Sequence, residues 1–390
     1  MIACVQVYSM KIAITIAFIC WAFLLQGQQG NKDFEEGRTQ ATLSAEQFIS
    51  PYIDAANTQL LSVQVQAWKQ SVEKTPASAN GWMNYYMTSR LWYLQSNSNQ
   101  LSNKAKEELR QIAEKMDKEA AGDLNTTFEK QLVRYFETKD INYNQASKYL
   151  LTAYKLNTKS AFLYPELAKY YEIENNTAQR NIFCNSITQV GDNTGLYTYS
   201  LQLIESLPDG AILFTNGEYD TYALWRAAAA KNKNIKVISC GLLQNKEYRE
   251  AVIKKYSLKS TAYNPKKHNG YLELLIASNT DKSIFISLTL PKQYISKMVD
   301  KLYLTGYAYQ YSATPIDNIS SLYSNLITKA TPIAISGGNQ IYKNLLQGYI
   351  VLYRYYKTSN AVTAKQVHER AKTLGKKAGF WSDKYEAYFK

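Results

Sequence analysis

The spacing of apolar residues changes at about Gly195, and this change divides the chain into two kinds of structure. Over residues 42–190, apolar residues recur three and four positions apart and proline is rare, which is the pattern of amphipathic helices. After Gly195, short apolar runs of strand length alternate with helical stretches. Such alternation is typical of a parallel sheet covered by helices. We therefore predict an all-α region followed by an α/β domain.

Within the helical region, one junction has the spacing found between tetratricopeptide repeats. Pro76 ends one predicted helix and Trp82 opens the next, six residues later. A repeat-closing proline and a helix-opening aromatic residue have this spacing in such repeats. A weaker copy lies within residues 143–175, where Asn157 takes the place of the proline and Leu163 follows six residues on. We predict tetratricopeptide-like helical hairpins.

The second half of the chain predicts a Rossmann-like domain of three layers with a parallel sheet. Its predicted strands cover residues 211–217, 235–241, 283–290 and 306–313. The predicted helices between and after them cover residues 221–230, 245–256, 271–277 and 293–301. From Asn318 the pattern is helical again, with a break at residues 336–338. The predicted domains are a helical-hairpin region over 28–195, an α/β domain over 196–315 and a C-terminal helical segment over 316–390.

An apolar run near the N-terminus predicts export. Lys11 precedes apolar residues 12–25, and this run is shorter than the roughly 20 residues that a membrane-spanning helix needs. It fits the apolar core of a secretory signal peptide. We predict a cleaved signal peptide over 1–27, a mature chain starting at Gln28 without a transmembrane span, and a location in the periplasm or at the outer-membrane periphery. An uncleaved anchor and a lipoprotein attached at Cys20 are the alternatives.

The chain is basic, with a formal net charge of +13, of which Lys11 in the leader contributes one. A positive net charge favours anionic partners such as lipid head groups and acidic glycans. The basic residues are scattered, however, and the tight clusters lie at residues 231–236 and 264–269. A solvated basic surface accounts for this pattern equally well. Nucleic acid is not an expected partner for an exported chain.

Cysteine and histidine are scarce, and this limits the chemistry that the chain can perform. Cys184 and Cys240 are the cysteines that remain after processing, and we predict two buried thiols rather than a disulfide. The two histidines, His268 and His368, leave a Cys–His nucleophile as a minor alternative. Without clustered carboxylates they do not predict a zinc site. We predict no metal and no cofactor.

Polar residues gather where the first two predicted strands end. These candidate ligand-binding residues are Asn216, Gly217, Glu218, Asp220 and Asn245. Ligands of open parallel sheets bind beyond the carboxyl ends of the strands, so Glu218 and Asp220 could bind a sugar hydroxyl or a cation, or act as an acid–base pair. A structural interpretation competes with this one, because Asp220 and Asn245 are also good helix N-caps.

The α/β region resembles a known family over residues 209–313. The segments "ILFTNGEYDTYALW", "IKVISCGLLQN", "KSIFISLTL" and "KLYLTGYAYQY" are similar, in this order, to the soluble C-terminal region of the protein O-mannosyltransferase-like membrane glycosyltransferases of Bacteroidetes. The resemblance implies an α/β fold and a Bacteroidetes envelope setting. It does not imply glycosyl transfer, because the chain lacks the family's transmembrane helices. It also has Glu218 and Tyr219 where the family tends to have Asp-Asn.

Taken together, these features favour an exported binding or scaffold protein of the bacterial cell envelope over an enzyme. Stacked hairpins and an α/β surface would recognise an envelope protein or a glycan. The 33 tyrosines suit either partner, since aromatic faces stack on sugars and anchor protein interfaces. The alternatives are an enzyme acting on glycans or glycolipids through Glu218 and Asp220, and an accessory subunit of an envelope secretion or assembly complex.

Overall fold

The computed structural model describes residues 58–96, 101–187, 194–264, 268–329 and 340–390. The described residues form two units, which are a helical unit over 58–187 and a sheet unit over 194–390. The predicted leader over 1–27 and the predicted break at 336–338 lie outside the described residues. No described helix combines the length and the apolar character that crossing a membrane requires.

The described residues of the helical unit are mostly helical. Its helices are α1 (Thr58–Lys74), α2 (Ala79–Ser96), α3 (Asn103–Glu119), α4 (Phe128–Thr138), α5 (Tyr143–Leu156), α6 (Leu163–Ile173) and α7 (Thr177–Ile187). Helix α1 packs against α2, α4 against α5, and α6 against α7. Helix α6 begins 35 residues after α4, and α7 begins 34 residues after α5. The same pair of helices therefore recurs along this part of the chain.

Both junctions singled out in the sequence separate two helices. Helix α1 ends just before Pro76, and the buried Trp82 of α2 donates its Nε1–H to the Pro76 carbonyl at 2.8 Å. The proline thus ends one helix and accepts a bond from the next one. At the second junction, α5 ends before Asn157 and α6 begins at Leu163. Pro165 lies in the first turn of α6, where a missing N–H costs nothing.

The sheet unit contains five strands and the helices around them. Its elements are α8 (Thr194–Ser206), β1 (Ile212–Thr215), α9 (Glu218–Ala230), β2 (Lys236–Ser239), α10 (Lys246–Lys255), α11 (His268–Ala277), β3 (Ile284–Ser287), α12 (Lys292–Ile295), β4 (Leu302–Leu304), β5 (Ala308–Tyr311), α13 (Ile319–Tyr323), α14 (Leu346–Ser359), α15 (Ala361–Lys377) and α16 (Asp383–Glu386). The strand order is β2-β1-β3-β5-β4. The described residues are thus mostly helical, with one small sheet among them.

The prediction of a wholly parallel sheet is wrong. Strands β2, β1 and β3 are parallel, but β5 pairs antiparallel with both β3 and β4. The predicted helix over 293–301 shrinks to α12 and a 3-10 turn, and β4 follows it directly. Gly306 has a φ of +120° between β4 and β5, a conformation that glycine adopts without steric cost. The resulting tight turn makes a hairpin, and β5 enters the sheet in the reverse direction.

The C-terminal helices pack in the same unit as the sheet, although the sequence suggested a separate segment over 316–390. Gly348 of α14 allows this close approach, because a Cβ there would lie 2.6 Å from Leu326 Cδ1 and 3.7 Å from Leu304 Cδ2. Tyr309 of β5 donates its hydroxyl to Gln347 Oε1 of α14 at 2.9 Å. The C-terminal helices are therefore part of the structure that supports β4 and β5.

A group of buried tyrosines fills the space between the sheet and these helices. The ring of Tyr199 lies edge-on to the rings of Tyr307 and Tyr342, with centroids 5.5 and 5.7 Å away. Tyr349 donates its hydroxyl to the Leu326 carbonyl at 3.3 Å. Burial raises the pKa of all four phenols, to about 12 for Tyr342 and Tyr349. These tyrosines belong to the core and do not form a recognition surface.

One lysine of the basic cluster at 231–236 is used inside the fold. Lys233 donates from Nζ to three carbonyls at the end of α8, those of Ile204 at 3.2 Å, Glu205 at 2.9 Å and Leu207 at 2.6 Å. A cation at a helix C-terminus bonds the last carbonyls and is stabilised by the helix dipole. Lys233 is therefore a structural residue.

Replacing Lys233 with methionine is expected to lower the free energy of unfolding of the sheet unit by about 1.5–3 kcal/mol, because three carbonyls lose a charged donor. Urea unfolding followed by circular dichroism would measure the loss. Lys254→Met is a suitable control, since Lys254 is an exposed residue in the last turn of α10. An equal loss in both variants would contradict the structural role of Lys233.

Candidate functional site

The loops that follow β1 and β2 pack directly against each other. Gly217 has a φ of +149° and precedes the first residue of α9. A Cβ on Gly217 would lie 3.6 Å from Ser239 Oγ and 3.8 Å from Gly241 Cα. Gly241 donates its backbone N–H to the Asn216 carbonyl at 3.1 Å. These are ordinary van der Waals distances, so it is the positive φ that explains why glycine occupies position 217.

The carboxylate of Asp220 accepts hydrogen bonds from several donors around this turn. It accepts the backbone N–H of Asn216 at 3.1 Å and that of Gly217 at 3.0 Å. It also accepts the Thr289 hydroxyl, at 2.5 Å, from the segment that follows β3. Asp220 is only 8% exposed. One buried carboxylate therefore joins the start of α9 to the loops after β1 and β3.

Asp220 is not the N-cap that the structural interpretation of the sequence suggested, although it does contribute to capping the helix. Helix α9 begins at Glu218, so Asp220 is its third residue, and its side chain reaches back to the N–H of Gly217. This is the contact that an acidic third residue makes in a capping box. The helix begins at Glu218, three residues before the predicted start at 221, because Gly217 takes the N-cap position.

The pKa of Asp220 is raised from its ordinary value, because burial disfavours the charged form. Bonds from Thr289 and from the backbone N–H groups of Gly217 and Asn216 favour the charged form and oppose this shift. Next to it, the hydroxyls of Thr215 and Thr221 lie 2.6 Å apart and are fully buried. The carboxylate thus faces hydrogen-bond donors of the protein itself.

The other candidate residues have different positions. Asn245 caps α10, as predicted, and its side chain accepts the Tyr248 N–H at 2.7 Å. Asn216 is exposed at the end of β1. The backbone of Glu218 starts α9, and its side chain lies outside the described part of the structure. Asn216, Gly217 and Asp220 are therefore brought together, whereas Asn245 serves the neighbouring helix.

An aromatic group that the sequence did not indicate lies beside the loop after β2. His268 at the start of α11 is 3.2 Å from the Cys240 carbonyl through Nε2, and 3.4 Å from the Tyr263 hydroxyl through Nδ1. The ring of Tyr294 meets the imidazole edge-on at 5.7 Å. The Arg249 guanidinium lies 3.8 Å from the centre of the Tyr263 ring. The sequence signal for this group is weak, since its residues come from four separate segments.

This arrangement gives Cys240 little reactivity. The imidazole of His268 bonds the backbone carbonyl of Cys240, and burial lowers the pKa of His268. The Cys240 thiol is fully buried, and burial raises its pKa well above the ordinary value, with the charge of Asp220 adding to the effect. A buried thiol with a raised pKa is a poor nucleophile. The geometry therefore does not favour the Cys–His alternative.

Cys184 is fully buried in α7, as Cys240 is beside β2, so the prediction of buried thiols is confirmed. We expect iodoacetamide to modify both residues much more slowly in the native protein than in urea, because modification requires local opening. Mass spectrometry of the individual peptides would measure the two rates. Rapid native modification of Cys240 would contradict its burial and its raised pKa.

The helical unit contains a second group of buried charges, which we call the Glu166 cluster: Arg90, Tyr135, Lys139, Glu166 and Lys169. Glu166 accepts bonds from Lys139 at 3.3 Å, from Lys169 at 3.1 Å and from the Tyr135 hydroxyl. Its side chain is 4% exposed. The two lysines hold the pKa of Glu166 well below its usual range despite the burial. Sequence analysis missed this cluster because its members come from three helices.

The comparisons assign no family to the chain. The described residues contain no group of three or more histidine, cysteine or acidic side chains arranged to hold a metal ion. No protein-family model matches the chain, and no curated protein shows a significant match to it. The function therefore has to be inferred from the contacts described above.

Proposed function

We propose that the chain is an exported binding or scaffold protein of the bacterial cell envelope. The observation that carries the proposal is the recurrence of a helix pair at 34 and 35 residues, from α4 and α5 to α6 and α7. Tetratricopeptide units repeat every 34 residues, and stacked units of this kind present an extended surface to a partner. A repeat array of this type serves binding more often than catalysis.

Contacts between alternate helices support a tetratricopeptide-like stack. Arg90 of α2 lies over the Phe136 ring of α4, 5.2 Å from its centre. Tyr135 of α4 in turn donates its hydroxyl to Glu166 of α6. Helix α2 also packs against α3, so α2, α4 and α6 are the first helices of the pairs α2–α3, α4–α5 and α6–α7. These first helices are neighbours, as stacking of repeats requires. We infer that α2, α4 and α6 form the layer that meets the partner.

In our proposal, the α/β domain is Rossmann-like and supplies a second recognition surface, with a glycan as the additional partner. The parallel strands β2, β1 and β3 support the Rossmann-like part. The bonds that Asp220 accepts from its own turn support a structural role for this carboxylate. The resemblance of residues 209–313 to envelope glycosyltransferases supports the setting.

One observation favours the alternative of a glycan-acting enzyme. Asp220 is a buried carboxyl with a raised pKa, and it lies at the carboxyl ends of β1 and β3. Carboxyl groups with a shifted pKa at such positions are common in active sites. Variants of Asp220 that separate stability from function, described below, distinguish the two proposals.

The location and the partner can be tested together. The full-length chain with a C-terminal tag would be expressed in the native cell and crosslinked in its envelope, and captured proteins would be identified by mass spectrometry. We expect a defined set of envelope proteins, recovery of the chain in the periplasmic or membrane-peripheral fraction, and an N-terminus at or near Gln28. Recovery of the chain in the cytoplasm with residues 1–27 intact would overturn the proposal.

A further inference from the structure

Nearly half of the net charge of the chain lies on the helical hairpin that α14 and α15 form. Residues 346–377 contain seven lysines and arginines and one acidic residue, so they carry a formal charge of +6, compared with +13 for all 390 residues. Six of the cations are exposed, and we call them the basic face: Arg354, Lys357, Lys365, Arg370, Lys376 and Lys377. The seventh, Lys372, is half-buried and bonds Glu386 of α16 at 3.3 Å. Positive charge is therefore concentrated on one surface of the sheet unit.

The exposed cations of α15 lie on one side of this helix. At about 100° per residue, Lys365 and Arg370 mark the two edges of an arc of about 140°, and Val362 lies near its middle. Lys376 and Lys377 fall within the same arc, further along the helix. The other side of α15 carries buried residues: Ala364, Val367, Ala371 and Leu374. The helix therefore packs its small and apolar residues inside the unit and presents cations outward.

Apolar and aromatic side chains form a continuous patch beside these cations, which we call the apolar tip. Val362 in the first turn of α15 is 83% exposed, and Tyr355 near the end of α14 is 52% exposed. Tyr356 contacts the rings of Tyr355 and Tyr323, with centroids 5.0 and 5.6 Å away. The Tyr323 hydroxyl donates at 3.4 Å to Gln366 Oε1, one turn of α15 after Val362. These contacts join the two exposed side chains across the turn between α14 and α15.

The arrangement fits an extended anionic surface better than a single carboxylate. The six cations are spread along two helices and do not converge on one point, and clusters of four to eight lysines and arginines attract anionic lipid head groups. Tyrosine and exposed aliphatic side chains suit the boundary between head groups and acyl chains. Two acidic residues lie nearby, Glu369 on the arc of α15 and Asp317, whose charge acts on Tyr356. The basic face outnumbers them three to one.

We propose that the basic face and the apolar tip attach the chain to the surface of a bilayer that contains anionic phospholipids. The exposed lysines and arginines bond head-group phosphates, and Val362 and Tyr355 enter the interfacial region. Because the buried side of α15 stays packed within the unit, the attachment is peripheral and reversible. This inference rests on the envelope location in the proposed function and names the surface that holds the chain there.

The first test measures cosedimentation of the protein, purified as the native cell processes it, with phosphatidylcholine vesicles that contain or lack phosphatidylglycerol. We expect binding that requires phosphatidylglycerol and weakens with added salt. Replacing Lys365, Lys376 and Lys377 together with glutamine should weaken binding by about tenfold or more. A leader that stayed attached would bind both kinds of vesicle, so the comparison of lipids separates its contribution from that of the basic face.

The matched control replaces three other exposed lysines with glutamine: Lys148, Lys155 and Lys159. It removes the same charge from α5 and the turn that follows it, so it should bind vesicles like the wild type. Lys357 is left unchanged in both variants, because its Nζ also donates to the Lys390 carbonyl at 2.7 Å. Thermal melts of both variants would show that they are folded.

A second variant tests the position of the contact. Cys184 and Cys240 are buried, so a thiol reagent should label Val362→Cys selectively in the native protein. A nitrobenzoxadiazole label at position 362 should become brighter, with emission at shorter wavelength, when vesicles with phosphatidylglycerol are added. The same label on Lys148→Cys should not change.

Several results would overturn the inference. Equal vesicle binding by wild type and the α15 lysine variant is one, and an equal loss in the two lysine variants is another. An unchanged emission from the label at position 362 would also contradict it. Binding of soluble polyglutamate that depends on the α15 lysines, without binding to vesicles, would assign the basic face to an acidic protein instead.

The outcome is separable from that of the proposed function. If envelope crosslinking recovers defined partners but the wild type does not bind vesicles with phosphatidylglycerol, the scaffold function stands and this inference falls. If vesicle binding depends on the α15 lysines but no envelope partner is recovered, the membrane attachment stands and the proposed function falls.

Discussion

Replacing Glu166 with glutamine is expected to lower the free energy of unfolding of the helical unit by about 3–5 kcal/mol, the cost of removing one partner of a buried ion pair. Glu166 is 4% exposed and neutralises Lys139 and Lys169. Without it, two ammonium groups and Arg90 repel one another in a region that water reaches poorly. Urea unfolding monitored by circular dichroism would measure the loss.

Glu119→Gln is the control, because Glu119 is exposed at the end of α3 and its replacement should change stability by less than about 0.5 kcal/mol. A loss of less than about 1 kcal/mol in Glu166→Gln would show that the lysines can turn to solvent. The double variant Glu166→Gln with Lys139→Met should recover part of the loss, since it removes one of the repelling charges.

Wild type and Glu166→Gln should also differ in how their free energy of unfolding depends on pH. The folded-state pKa of Glu166 lies below the ordinary value of 4.5, so its contribution to stability is complete above that pH and disappears as the pH falls through the folded-state pKa. Glu166→Gln should lack this part of the acid dependence. Unfolding curves of wild type and variant should therefore converge as the pH decreases.

Replacing Asp220 with alanine is expected to cost about 2–4 kcal/mol, since the N–H groups of Asn216 and Gly217 and the hydroxyl of Thr289 lose their acceptor. Asp220→Ser should recover little, because a serine hydroxyl at the third position of the helix is too short to reach the N–H of Gly217. Asp220→Asn should recover about half of the lost stability. The amide keeps one acceptor oxygen, but it places an NH₂ donor where the second carboxylate oxygen accepted a hydrogen bond. Thermal melts of the three variants would give this order.

The order of stability among the three variants shows whether Asp220 acts as the N-cap or from the third position of the helix. A serine variant as stable as wild type would restore the N-cap interpretation that the structure contradicts. If Asp220→Asn melts like wild type but loses its envelope partners or an activity, the carboxylate is functional and the enzyme alternative gains support. Asp300→Asn is the control for the loss of one carboxylate, since Asp300 is exposed.

Local signals in the sequence were sufficient for some features. Pro76 predicted a helix end because proline cannot continue a helix, and Asn245 predicted a cap because its side chain mimics a backbone acceptor. The direction of β5 could not be predicted, because strand pairing is non-local and depended on one turn at Gly306. The Glu166 cluster was missed for the same reason, since Arg90 and Glu166 are far apart in sequence.

Because of its buried tyrosines, the unfolding of the sheet unit in alkali can be followed by the absorbance of ionised tyrosine. Tyr199, Tyr307, Tyr342 and Tyr349 all have pKa values raised by burial, so their protons are held more tightly in the folded than in the unfolded state. The stabilisation is complete below about pH 10, the ordinary phenol value, and is lost as the pH rises through the folded-state values. Phenolate absorbance should then rise in two stages, with exposed tyrosines ionising gradually and these four ionising cooperatively as the unit opens.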